Sequence, residues 1–362
     1  MANMHGSIPR IDFAGIIDLA ALPPPAAPPP PGADHLRPRW AAVRAAVMDA
    51  LRAHGCFEAV VDGLISPELR AAVLGPGGAA ESVLSLPASA KARGNDPGEG
   101  KPYHGYVGGI PGLPYESVAI SDPLSPTAVR AFAARVWPAA AAAFPEEAVV
   151  AYAGRLAAVE AAVRRMVLES VGATASSAGA VEAQAAATAF KLRLSEYAAP
   201  GGGEDARLGL PAHRDTSFLA VVTQNGVDGV EVECGRGDGG WARPTLSPSS
   251  LSSPATRSRY LCMCTHALTN GQVYNPLHRV VVSGDEARYS AILFSLPVDG
   301  AAVRPLDEAV DGDHPAMYRP FDYGEYAVFC YLPENMTPEV MKHAHKLEAF
   351  AAVRTTTTAS AP

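Results

Sequence analysis

The feature that most narrows what this chain can fold into is a change of period at Phe190. Upstream, Val149, Tyr152, Leu156, Val159, Val163, Met166 and Val171 recur at intervals of three to five residues. They make one apolar stripe on a helix, with Gly172 where a C-cap belongs. Downstream the period is two: Phe190, Leu192 and Leu194 alternate with Lys191, Arg193 and Ser195. Alternation of that kind sorts side chains onto opposite faces of a strand. Further short runs follow at 218–223, 230–233, 280–282, 289–295 and 326–331, separated by Gly, Pro and Asp. No helical crossover pattern lies between them, so they predict an antiparallel sandwich or barrel rather than a parallel sheet.

The upstream half reads as a helical support. Residues 8–13 suit an edge strand or a strand start, because Pro9 cannot donate to a ladder. The segment 22–32, LPPPAAPPPPG, reads as a solvated polyproline spacer; the sharper alternative is a ligand for a Pro-binding domain. A helix is expected over 39–53 with Gly55 as its stop, then a strand over 56–61 and a helix from Pro67 to about Leu74. Residues 75–112 are rich in Gly and Pro and read as loop, Ser125 and Thr127 precede a helix over 129–136, and 173–189 is an Ala/Ser connection. The organisation expected is a mostly helical support over 1–189, a β core over 190–300, and a 301–362 extension packed on that core and ending in a disordered tail. The fold class is α+β.

Composition removes several function classes. Of 362 residues 48% are hydrophobic and 18% charged, which excludes a disordered or fibrous chain. A net charge of −8 disfavours nucleic acid and anionic membrane as partners. Five cysteines without a CxxC pair do not make a secreted disulfide scaffold and fit a reduced compartment. The first eleven residues hold no apolar run, and no stretch approaches the ~18 residues of a membrane span. A soluble cytoplasmic protein, monomeric by default, is the expectation.

The chemistry gathers in the β half. His213 and Asp215, in the segment PAHRDT, are two apart and so share one side of an extended chain. By itself an HxD pair is a weak signal. His278, in YNPLHRV, would complete two imidazoles and one carboxylate, the set that holds iron(II) on one face and leaves positions open. Zinc could use the same ligands, but a hydrolytic site would also want a general base within reach. Arg288 and Ser290, in RYS, follow His278 by ten and twelve residues and share a strand face. A guanidinium beside a hydroxyl matches a carboxylate in geometry and charge. Metal site and anchor together suit a dicarboxylate that chelates at one end; 2-oxoglutarate fits.

HRD, NPLHRV and RYS in this order resemble the HxD…H…RxS pattern of the plant 2-oxoglutarate/Fe(II)-dependent dioxygenase superfamily. IPRIDF, HGCFE, LPASAK with HGYVG, and LTNG resemble other segments of that family, so the resemblance spans about residues 8–335. KLRLSEYAAP, DGVEVE, SGDEARYSA and HPAMYRPFDYGEY look most like its AOP-like branch, known from glucosinolate side-chain oxidation. The resemblance implies a distorted double-stranded β-helix (a jelly roll of the isopenicillin-N-synthase type) with N-terminal helical support. It implies iron(II) on His213, Asp215 and His278, and 2-oxoglutarate on Arg288 and Ser290 with Tyr197 beside it. It further implies O2 as cosubstrate, ascorbate as reductant, and oxidation of a small metabolite, hydroxylation by default, with succinate and CO2 as coproducts. Ser195 stands where the family often has Asn. His104, Tyr106 and Phe294 are candidates for lining the substrate.

One departure is large. Asp215 and His278 are 63 positions apart, roughly ten more than this connection usually needs. The excess falls in 247–264, where 247–259 reads as loop and Tyr260 to Cys264 could supply a core strand. The insertion is either a tolerated rim loop or an interruption of that strand, as retained non-coding sequence would produce. Two alternatives therefore stand beside the oxygenase: a degenerate, non-catalytic member, and an oxidase on the same scaffold that does not use 2-oxoglutarate. His343 and His345 read as a solvated tail, Cys262 and Cys264 as plain thiols, and His266 as incidental.

Overall fold

The computed structural model describes residues 8–16, 36–61, 63–95, 105–138, 141–173, 183–201, 205–234, 240–243, 257–262, 265–336 and 346–353. The Pro-rich segment, His104, Cys264, His343 and His345 lie outside them, and the side chain of Cys262 is likewise not described.

Strand β1 (Arg10–Asp12) is followed by helix α1 (Leu36–His54), strand β2 (Cys56–Val60) and helix α2 (Pro67–Leu74). Ser66 caps α2 by accepting from the Leu69 amide, and Pro67 fills the first turn, where no N–H is needed. Residues 75–112 contain two short helices that the Gly/Pro content hid, α3 (Ala79–Leu84) and α4 (Ala88–Ala92). Both are Ala-rich turns that bury a small apolar face, too short to show a period. Strand β3 (Tyr115–Ser121) was not foreseen either: it is covered on both sides and carries no clean alternation. Helix α5 (Pro126–Val136) begins at the expected Ser125 cap. Helix α6 (Glu146–Ser170) carries the predicted stripe, fully buried, and Gly172 follows with φ +98°.

The β half comprises β4 (Thr188–Tyr197), β5 (Ala206–His213), β6 (Leu219–Gln224), β7 (Val230–Cys234), β8 (Gly240–Ala242), β9 (Arg257–Cys262), helix α7 (Thr265–Leu268), β10 (His278–Ser283) and β11 (Arg288–Pro297). Then come β12 (Ala302–Val303), β13 (Phe321–Asp322), helix α8 (Tyr323–Cys330) and helix α9 (Lys346–Ala351). The major sheet runs β1-β2-β9-β6-β11-β4-β3 and the minor sheet β5-β10-β7-β8; all pairings are antiparallel except β1 with β2. The N-terminal half thus supplies three strands of the core sheet, not helices alone.

Strand β9 answers the question of the insertion. It sits between β2 and β6, with Phe57 and Val221 both facing Tyr260 in register, so the core strand is present and begins three residues earlier than expected. The expected strand at 326–331 is instead helix α8. Asp322 caps it by accepting from the Glu325 amide, and Tyr323, Tyr326, Ala327 and Cys330 bury at helical spacing. Its unbroken apolar composition made the period unreadable.

The major sheet is covered on both faces. Leu192, Leu194, Leu219, Val221 and Leu293 pack with α1 to α3, α5 and α6 in one apolar cluster. The Tyr152 hydroxyl of α6 donates to Thr223 Oγ1 of β6 at 2.9 Å, tying helix to sheet. On the other face Tyr115, Tyr197, Ala220 and Val222 meet Val230, Val232, Val280 and Val282 of the minor sheet. The residues alternating with the leucines, Lys191, Arg193, Ser195 and Tyr197, therefore point between the two sheets.

Candidate active site

Two strand ends create the site. His213 is the last residue of β5, His278 is the first of β10, and the two are direct partners across the antiparallel pair. Their rings lie 4.2 Å apart, centroid to centroid. Asp215, two residues past the end of β5, sets Oδ1 at 3.4 Å from His213 Nε2 and 3.7 Å from His278 Nε2. One ligand atom from each residue falls within 4.8 Å of the others. His213 Nδ1 lies 2.8 Å from the Pro211 carbonyl and His278 Nδ1 3.5 Å from that of Pro276. With Nδ1–H given to main-chain carbonyls, each Nε2 lone pair faces the carboxylate, the arrangement of a metal-ligating histidine.

Electrostatics separate the two imidazoles. Burial opposes the imidazolium at His213, but the Asp215 carboxylate outweighs it and the pKa rises. At His278 burial and the neighbouring His213 push the pKa down to about 4. Burial would raise the Asp215 pKa, yet His278 and His213 hold it below the usual carboxylate range. A charged carboxylate with a neutral imidazole at its side is a competent donor set for a divalent cation.

Helix α1 positions the distal histidine. Gly55, at φ +66°, ends the helix, and a Cβ there would lie 2.4 Å from the Tyr274 carbonyl oxygen and 2.5 Å from Pro276 Cδ. The Tyr274 amide donates to the Leu51 carbonyl at 3.0 Å. The turn that delivers His278 thus rests directly on a backbone only glycine leaves open.

Arg288 and Ser290 lie further along the same interior. Arg288 is 1% exposed; its Nε and Nη2 donate to Gln224 Oε1 at 3.2 and 2.9 Å, and its guanidinium stands 4.9 Å over the Tyr197 ring. Ser290 pairs across the sheet with Ser195 on one side and Gln224 on the other. The Ser290 and Ser195 hydroxyls are fully buried and make no hydrogen bond among the described residues. Buried donors in that state are suited to an acceptor-rich ligand. Gly229 makes room for Arg288, since a Cβ there would lie 2.8 Å from Arg288 Cδ.

Residues 190–297, which hold His213, Asp215, His278, Arg288 and Ser290, match the 2OG-Fe(II) oxygenase superfamily. Over 310 residues the chain is 32% identical to an Arabidopsis thaliana protein named "Probable 2-oxoglutarate-dependent dioxygenase AOP1.2", covering 84% of this chain and 90% of that one. The chain belongs to the 2-oxoglutarate/iron(II)-dependent dioxygenases. Among solved structures, the rice dioxygenase for auxin oxidation superposes with a TM-score of 0.65 at 23% identity, over 96% of this chain and 100% of that one. The Arabidopsis thaliana counterpart, solved as a binary complex with 2-oxoglutarate, gives 0.63 at 22% identity, over 85% and 99%. These two share the fold.

The dioxygenase brings five of the sequence-derived site residues, His213, Asp215, His278, Arg288 and Ser290, into one interior, with Tyr197 beneath Arg288. Phe294 lies on the same face of β11, packed between the inter-sheet cluster and the C-terminal cluster. Tyr106 packs with the helical-side cluster and its hydroxyl donates to Glu116 Oε1 at 2.8 Å; Lys91 reaches the other oxygen of that carboxylate. Burial pushes the Tyr106 hydroxyl up to about 12, with Glu116 adding to it. Gln224 was missed: nothing in a lone Gln at a strand end signals that it braces an arginine 64 residues away. His266 is not incidental. It is buried, with Nδ1 on the Val273 carbonyl at 2.5 Å and Nε2 2.8 Å from the Tyr318 hydroxyl. No described helix is long and apolar enough to cross a membrane.

Proposed function

We propose that the dioxygenase oxidises a small plant-type metabolite, hydroxylation being the default outcome, with succinate and CO2 as coproducts. The observation that carries this is the pairing of a complete His-Asp-His set with a buried guanidinium and hydroxyl in the same interior. When bound, iron(II) and 2-oxoglutarate would supply the oxidising power, and ascorbate would keep the iron reduced. His213, Asp215 and His278 would hold the metal. Arg288 and Ser290 would take the far carboxylate of 2-oxoglutarate, and Tyr197 would shield that ion pair from water. Val230, Val232, Val280 and Val282 make the opposite wall apolar, which keeps the interior dry.

The wider reading is a distorted double-stranded β-helix over 190–300, supported by 1–189 and covered by the 301–362 extension, acting as a monomer. The intact ligand set and the presence of β9 support catalysis over a degenerate member. The auxin-oxidising neighbours make small aromatic acids reasonable first substrates to screen.

The test is anaerobic titration of the full chain with iron(II) and then 2-oxoglutarate, following the visible charge-transfer band of a chelated keto acid. The band is expected, and His278→Ala should abolish it. Folded wild-type protein that gives no band overturns the reading.

A further inference from the structure

Each ligand histidine is followed by an arginine, Arg214 after His213 and Arg279 after His278. Extended chain alternates its side chains, so both arginines point away from the metal ligands, to the outer face of the minor sheet. Each guanidinium meets a carboxylate of β7 there. Arg279 Nε donates to Glu231 Oε2 at 2.6 Å, and Glu231 is its direct partner across the ladder. That is an ordinary neighbouring pair. Arg214 reaches further. Strands β5 and β7 lie on opposite sides of β10. The bridge from Arg214 Nη2 to Glu233 Oε2, 3.7 Å, therefore spans the end of the strand that carries His278.

The turn before His278 fills that span. Arg214 Nη1 donates to the Asn275 carbonyl, and its guanidinium carbon lies 5.6 Å from the centre of the Tyr274 ring. The Tyr274 hydroxyl donates to the same Glu233 Oε2 at 3.2 Å, and the Glu233 amide donates to the Leu277 carbonyl at 2.8 Å. One side chain thus grips the 274–277 segment from the outer face, while the end of α1 supports it through the Tyr274 amide. The three ligands differ in what holds them. His213 and His278 sit in a strand ladder. Asp215 does not, since residues 214–216 belong to no strand or helix. Its neighbour Arg214 has the rigid fork needed to serve a carbonyl and a carboxylate at once.

We infer that Arg214 is a positioning residue: it ties the segment carrying Asp215 to the turn that delivers His278, and so fixes the spacing of carboxylate and imidazole before the metal arrives. The inference rests on the oxygenase reading and adds to it a clamp that preorganises the ligand set. Charge alone argues the other way. A cation behind a metal site repels the metal, and the Arg214 charge is felt at His278; removing that charge would tighten metal binding. Removing a clamp loosens it, because groups that orient ligands are worth about 10–100-fold in metal affinity. The two effects have opposite signs, so the direction of the change separates them.

The experiment uses the full chain, metal-free and anaerobic. Iron(II) affinity is read by competition with a chromogenic chelator, and cobalt(II) reports the geometry of the ligands through its visible absorption. Arg214→Gln should weaken both metals about tenfold or more and alter the cobalt spectrum. Arg279→Gln removes the neighbouring outer-face pair and serves as the control. It should leave both metals within about threefold and the cobalt spectrum unchanged, because the ladder alone holds His278. Arg214→Lys keeps the charge and loses the fork, and should weaken iron about threefold or more. Iron bound by Arg214→Gln as tightly as by the wild type, or more tightly, overturns the inference and leaves Arg214 only its repulsion. Equal weakening in Arg214→Gln and Arg279→Gln also overturns it, since any outer-face pair would then do the same. Where Arg214→Gln does not fold, Arg214→Lys decides, and wild-type iron affinity there overturns the inference. A wild-type chain that binds neither metal overturns the oxygenase reading and this inference with it; tight wild-type binding that Arg214→Gln does not weaken overturns this inference alone.

Discussion

Arg288 owes its orientation to a neutral neighbour. Gln224 takes Nε and Nη2 on its carbonyl oxygen, and its own amide nitrogen donates to Asp228 Oδ1 at 2.7 Å, so the side chain is fixed at both ends. A neutral acceptor steers the guanidinium without cancelling its charge. Gln224→Leu removes a hydrogen bond to a charged group, worth about 1.5–3 kcal/mol. The 2-oxoglutarate concentration for half saturation should rise about tenfold or more, with iron affinity unchanged. Gln224→Glu should be worse, because a second carboxylate competes for the arginine. Equal weakening of iron and 2-oxoglutarate in both variants would mean that Gln224 acts on the fold rather than on the anchor. The HxD, H and RxS residues could be read from the sequence because their chemistry shows in short spacings. Gln224 could not, since its place beside Arg288 comes from strand register.

Gly55 shows how an element far from the chemistry sets its geometry. The end of α1 supports the 274–276 turn, and that turn delivers His278. Gly55→Ala adds a left-handed residue, about 1–2 kcal/mol, together with a clash against backbone. Thermal stability should fall by several degrees and the iron dissociation constant should rise; unchanged iron affinity would detach the helix end from the site. The C-terminal elements are held differently. The Tyr318 hydroxyl lies 2.8 Å from His266 Nε2 and 3.3 Å from Glu348 Oε1, joining α7 to α9. Burial pushes the Tyr318 hydroxyl up to about 12. A raised acid pKa means its stabilisation is complete below the unfolded value near ~10 and is lost as pH rises through about 12. Tyr318→Phe should therefore lose about 1 kcal/mol at pH 8, a gap that narrows towards pH 12 in urea titrations. A gap that stays constant would exclude the linkage. The alternating runs gave β4, β6, β7, β10 and β11, whereas α3, α4, β3 and α8 escaped because short or fully buried segments show neither period clearly, and β5, interrupted by Gly209 and Pro211, was not among the expected runs.

On the scale of the whole molecule, the polarity of β4 is inverted relative to an ordinary amphipathic strand. Its leucines face the helical layer, and its Lys, Arg and Ser face the space between the sheets. Such a sequence folds only because the helices bury one face and the second sheet covers the other. The cost of the polar interior is offset when ligands complete its hydrogen bonds, so stability should be linked to occupancy. A ligand held at 100 times its dissociation constant adds about 2.7 kcal/mol. In an anaerobic melt, iron(II) should raise the midpoint, and 2-oxoglutarate added to the iron form should raise it again. Arg288→Ala should keep the first step and lose most of the second; His278→Ala should lose both, and a chelator should reverse both in the wild type. The order matters, because a keto acid that chelates through the metal gains little from the apo-protein, where only the Arg288 end can hold it. A 2-oxoglutarate step of full size in Arg288→Ala would place the far carboxylate elsewhere. A full step without iron would mean that the anchor alone holds the cosubstrate, and that the interior is built round the arginine rather than round the metal.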